Sequence, residues 1–121
     1  MNLEEFIKSR IETLDELRAL LLFTRNPEAV WDAGGVAGKL YLASGTAAKV
    51  LARLAANGLL KGEGEPPRYC YRPESPEVAA LVSEIVKLDE TRPVTLIKLV
   101  SKLADIQAFS DAFKLKKDTE N

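Results

Sequence analysis

The sequence predicts a mainly α-helical fold with one small β-hairpin, and three observations carry that reading. Six segments place apolar residues at helical spacing, most of them behind a capping residue. One stretch, Leu59 to Arg72, alternates instead and breaks at Glu65-Pro66-Pro67, as two strands joined by a loop would. The composition, 46% hydrophobic and 29% charged over 121 residues, suits a single globular domain.

Leu3 to Arg10 reads as a short helix with Asn2 as N-cap and Glu5 three residues on. Thr13-Leu14-Asp15-Glu16 is a capping box, so a stronger helix starts at Leu14 and runs to about Thr24, where Asn26-Pro27 ends it. Leu14, Leu17 and Leu21 form its stripe. Leu20, Leu22 and Phe23 widen that stripe and predict burial on more than one side. Val30-Trp31-Asp32 is a short β-like step, in which Trp31 is expected to anchor the small sheet. Asp32 is placed to cap a helix from Ala33 to about Leu40. Gly34, Gly35 and Gly38 weaken that helix by roughly 1 kcal/mol each relative to alanine, so packing of Val36, Ala37 and Leu40 has to hold it.

After the connection Tyr41-Leu42-Ala43, Ser44 is expected to cap a helix from Gly45 to Asn57. Ala47, Val50, Leu51 and Leu54 form its apolar face, and Asn57-Gly58 supplies a left-handed stop. Beyond the hairpin, Pro73 and Pro76 punctuate the exit. Two helices follow. The first runs from Glu77 to about Leu88 with Val78, Leu81, Val82 and Ile85 inward; the second starts at Val94 and reaches about Ala104 or beyond. Phe109 and Phe113 keep the same spacing, and Lys114-Leu115-Lys116-Lys117 opens a solvated tail.

No run approaches the roughly 20 consecutive apolar residues that span a bilayer, so no membrane insertion is expected. The opening Met1-Asn2-Leu3-Glu4-Glu5 lacks the basic-then-apolar pattern of a signal peptide, and the single cysteine, Cys70, excludes an internal disulfide framework. Both point to the cytoplasm. The chain has no histidine, which removes Ser–His and Cys–His nucleophiles and the commonest transition-metal ligand. It has no phosphate-binding loop and no dinucleotide fingerprint. The expectation is a protein that is not an enzyme and takes no cofactor or metal; nothing in the sequence specifies a small-molecule effector.

The strings Val36-Ala37-Gly38-Lys39-Leu40, Ser44 to Leu60 and Tyr69-Cys70-Tyr71 combine a small-residue turn, a Leu-x-x-Leu core and an Asn-Gly-Leu-Leu exit. The segment Trp31 to Arg72 resembles the winged helix-turn-helix superfamily of bacterial transcriptional regulators, the broad MarR-like and ArsR-like class, over about a third of the chain. The resemblance implies one domain over 1–121: N-terminal helices in 1–30, helix-turn-helix and wing in 31–72, and C-terminal helices with a tail in 73–121. It implies double-stranded DNA as partner, with Gly45 to Asn57 as recognition helix in the major groove. Its implied DNA-binding residues are Ser44, Thr46, Lys49, Arg53 and Arg68. Thr46, Lys49 and Arg53 lie opposite the apolar stripe; the first suits a phosphate or a thymine methyl, the other two phosphates or guanine edges.

Overall charge is −1, but its distribution is uneven. Residues 31–72 carry six basic side chains (Lys39, Lys49, Arg53, Lys61, Arg68, Arg72) against three acidic ones (Asp32, Glu63, Glu65), and the flanks 1–30 and 73–121 are each −2. The positive charge therefore falls where DNA contact is implied, while Glu63 and Glu65 at the wing tip oppose it. A homodimer is expected, built from the first helix and the C-terminal helices, because Leu20, Leu22, Phe23, Phe109 and Phe113 exceed one compact core. Cys70 is expected to act as a small apolar filler. Winged helices also serve as protein-interaction modules, and one that does not bind DNA is the alternative reading.

Overall fold

Side-chain caps set most helix starts in the computed structural model, which describes residues 2–101. Asn2 accepts the Glu5 N–H ahead of α1 (Leu3–Arg10), and Thr13 accepts the Glu16 N–H ahead of α2 (Leu14–Arg25). Asp32 accepts the Gly35 N–H ahead of α3 (Ala33–Leu40), and Ser75 accepts the Val78 N–H ahead of α5 (Pro76–Thr91). Each bond satisfies a first-turn donor that the helix itself leaves orphaned, worth about 1 kcal/mol. The helix α5 starts one residue before the expected Glu77 because Pro76 occupies its first position, where a missing N–H costs nothing. Residues 93–101 are helical and are called α6.

The helix α4 (Ser44–Ala56) departs from expectation at its start. Ser44 is not the cap. Ala43 takes that position in an extended conformation, and its carbonyl accepts the Ala47 N–H at 2.9 Å to begin the helix. Ser44 is thereby the first helical residue, exposed, and the first turn has no side-chain cap.

Strands β1 (Leu60–Glu63) and β2 (Arg68–Tyr71) pair antiparallel, with Leu60 opposite Tyr71 and Glu63 opposite Arg68. The expected β-like step is realised as a single bridge: Trp31 N–H donates to the Tyr69 carbonyl at 2.9 Å and Tyr69 N–H to that of Trp31 at 2.8 Å. Alternation gives the hairpin two faces. Leu60 and Tyr69 are buried, while Lys61, Glu63 and Arg68 are exposed. Gly62 faces Tyr69, whose ring lies so close that an added Cβ would stand 2.7 Å from it; only glycine leaves the ring that room.

One core joins these elements. Phe6 and Ile7 of α1, Leu17, Leu20 and Phe23 of α2, Val36 of α3, Leu51 and Leu54 of α4, Val82 and Ile85 of α5, and Leu96 of α6 are buried together. The helix α2 packs against α3, α4 and β2. This corrects the expectation that Leu20 and Phe23 are surplus: both are wholly buried inside the subunit, because a central helix needs an apolar face wider than one stripe. Phe109, Phe113 and the tail from Lys114 lie outside the described residues. Among the described residues, no helix is long and apolar enough to cross a membrane.

Candidate nucleic-acid interface

The apolar face of α4 (Ala47, Val50, Leu51, Leu54) turns into the core, which leaves Ser44, Thr46, Lys49 and Arg53 exposed. A cavity of about 320 Å³ lined by Asp32, Ala33, Gly34, Ala48, Pro66, Pro67 and Tyr69 separates α3 and α4 from the hairpin loop. Ala48 of α4 and the prolines of the hairpin loop therefore border one depression. Four of the five expected DNA-binding side chains, Ser44, Thr46, Lys49 and Arg68, stand exposed with no ion-pair partner among the described residues.

Arg53 is different. Its guanidinium bridges Glu12 and, through Nε at 3.3 Å, Glu16. Glu16 is only 1% exposed, and its other oxygen accepts a 3.0 Å hydrogen bond from the Thr13 hydroxyl. Thr13 and Glu16 are the capping box read from the sequence, but the carboxylate also faces α4 and requires a cation there. Arg53 supplies it. Half-exposed yet claimed by two carboxylates, Arg53 is a clamp between α2 and α4 before it is anything else.

Other positive charges are also partly committed. Lys61 pairs with Glu63 at 3.0 Å on the outer face of β1, and this hydrogen bond and charge hold the Glu63 carboxyl below its usual range. Lys39 sits over the Trp31 ring, 5.9 Å from its centre. Lys49, Arg68 and Arg72 have no ion-pair partner among the described residues and are the uncommitted cations of residues 31–72. Cys70 lies on the outer face of the hairpin and lines a shallow depression with Val30, Lys61 and Arg68, so its packing role is peripheral.

Two features lay outside the sequence reading. The first is Tyr41, the residue that ends α3: it has φ 56° and ψ 46°, the left-handed region, and is 93% exposed. A turn between two helices with no glycine at the C-cap was the available signal. The second is an apolar groove of about 370 Å³ between α2, α3 and α6, lined by Leu14, Leu17, Leu21, Leu22, Leu40 and Ile97. An Arg25–Asp89 ion pair at 2.8 Å stands at its border. Among the described residues no cluster of histidine, cysteine and carboxylates is placed to hold a metal ion. No protein-family model, no curated protein and no solved structure matches this chain.

Proposed function

We propose that the chain is a winged helix-turn-helix transcriptional regulator that binds double-stranded DNA as a homodimer, with α4 as recognition helix and the β1–β2 hairpin as wing. The observation that carries the reading is that Ala48 of α4 and Pro66, Pro67 and Tyr69 of the hairpin line one depression, while α4 exposes Ser44, Thr46 and Lys49 and the hairpin exposes Arg68. A helix of this width fits the major groove while an adjoining hairpin follows the backbone. The +3 charge of residues 31–72 between acidic flanks favours that segment for phosphate.

Lys49 is the test residue, because it is exposed and uncommitted. With Arg53 and Lys61 paired internally, about two or three phosphate contacts per subunit remain, and affinity should fall with salt at a log-log slope of about −0.9 per contact. Lys49→Ala should lower that slope by about one per subunit and weaken all sequences alike, with stability changed by less than about 0.5 kcal/mol. The measurement is a salt titration of duplex retardation with genomic fragments. No retardation by wild type at low salt ends the DNA reading.

The dimer rests on the groove between α2, α3 and α6. Its Leu14 and Ile97 are 37% and 48% exposed, a contiguous apolar surface of a kind that marks interfaces. Light scattering at tens of micromolar is expected to report twice the chain mass, and Leu22→Asp to return it to one. The same groove favours a second reading, a winged helix that binds another protein and not DNA. A monomer without DNA affinity would select that reading.

A further inference from the structure

We propose that Tyr41 is a DNA-backbone contact, its hydroxyl donating a hydrogen bond to a phosphate oxygen beside the first turn of α4. This rests on the DNA-binding reading and adds a residue to that site. Tyr41 holds a position that the fold would fill better with glycine. Its backbone caps α3 in the left-handed region: its own N–H donates to the Ala37 carbonyl, and Leu42 N–H donates to the same oxygen at 3.0 Å. Those bonds use the main chain alone, so the side chain contributes nothing to the cap, and a Cβ is unfavourable there. Among the described residues it is the one non-glycine with positive φ.

Nor does the ring serve the core. Tyr41 is the most exposed of the large hydrophobic side chains among the described residues, at 93%. A strained backbone position that carries a bulky side chain into solvent is explained by something outside the chain. Its place in the sequence narrows what that is. Tyr41 precedes Ser44 by three positions, so their Cα atoms lie within about 11 Å of each other. Ser44, Gly45 and Thr46, the exposed first turn of α4, have no side-chain cap to occupy their N–H groups. A duplex backbone that meets this turn passes near Tyr41, and tyrosine hydroxyls are established phosphate donors. The hydroxyl is neutral, so the contact has a signature that a lysine contact lacks: affinity without counterion release.

The experiment compares wild type, Tyr41→Phe and Tyr41→Gly by thermal melting and by fluorescence anisotropy with a labelled duplex of about three helical turns, at several salt concentrations. Both variants are expected to bind about three- to ten-fold more weakly, with the log-log salt slope unchanged. Tyr41→Gly is expected to melt no lower than wild type, and up to about 5 °C higher, since glycine accepts the left-handed backbone. Tyr41→Phe binding as tightly as wild type would overturn the proposal, and so would a Tyr41→Gly variant that melts well below wild type. If wild type binds and neither variant differs, the contact fails while the DNA reading stands. If wild type does not bind at low salt, both fall, and an exposed tyrosine beside α4 becomes a protein-contact residue.

Discussion

Arg53→Ala is expected to lower the free energy of unfolding by about 2–3 kcal/mol, an effect out of proportion to an exposed arginine on a helix. The loss arises at Glu16. That carboxylate is buried at the start of α2 and keeps one hydrogen bond, from Thr13, once the guanidinium is gone. A charged group left short of partners in the interior costs more than the lost ion pair itself. The exposed Glu12–Arg53 arm of the bridge adds little, because water screens it. Glu16→Gln in the Arg53→Ala background should therefore recover at least about 1 kcal/mol, since no buried charge then remains. Urea denaturation of the wild type, both single variants and the double variant measures the coupling, with an unchanged m-value as the condition for comparison. If Arg53→Ala shifts the midpoint negligibly, Arg53 is a free surface cation and returns to the DNA-contact set.

Gly58→Ala is expected to destabilise the fold by about 2 kcal/mol, with a melting temperature lower by about 10 °C. Two causes add. Gly58 has φ +77°, a conformation that costs an L-residue roughly 1 kcal/mol or more. A Cβ at this position would also run into the Glu74 carboxylate, with Glu74 Cγ at 3.0 Å. That carboxylate is held in place: Arg10 Nη1 donates to Glu74 Oε1 at 2.7 Å and to the Asn57 carbonyl, while Asn57 Nδ2 donates back to the Arg10 carbonyl at 3.0 Å. Gly58 also accepts the Glu74 N–H at 2.9 Å. The end of α1, the end of α4 and the exit of the hairpin meet at this knot. In a Glu74→Ala background only the backbone penalty of Gly58→Ala remains, so the second substitution should cost about half as much. Equal costs in both backgrounds would show that Glu74 yields freely.

The helices and the hairpin were readable because their signals are local. A cap acts across three residues, a helical face repeats within a turn, and Asn2, Thr13 and Asp32 each announced a helix that is present. The inward set of α5 and the four core residues of α4 follow from periodicity alone. Ser44 shows the limit of such signals: a good capping residue one step too late, passed over because Ala43 already supplies the first helical acceptor. A boundary is a competition between neighbouring residues that differ by little energy.

Residues distant in sequence decided the rest. Leu20 and Phe23 read as surplus on an isolated helix and are buried because α2 runs through the middle of the domain. Arg53 and Glu16 are 37 residues apart, and Arg10 and Glu74 are 64 apart, so no local pattern links them. Tyr41 reads as loop until the left-handed turn between α3 and α4 throws its ring into solvent. The positive charge of residues 31–72 could be counted from the sequence. How much of it is free to meet a phosphate depends on which carboxylates the packing of α2 against α4 brings beside it, and that is a property of the assembled helices.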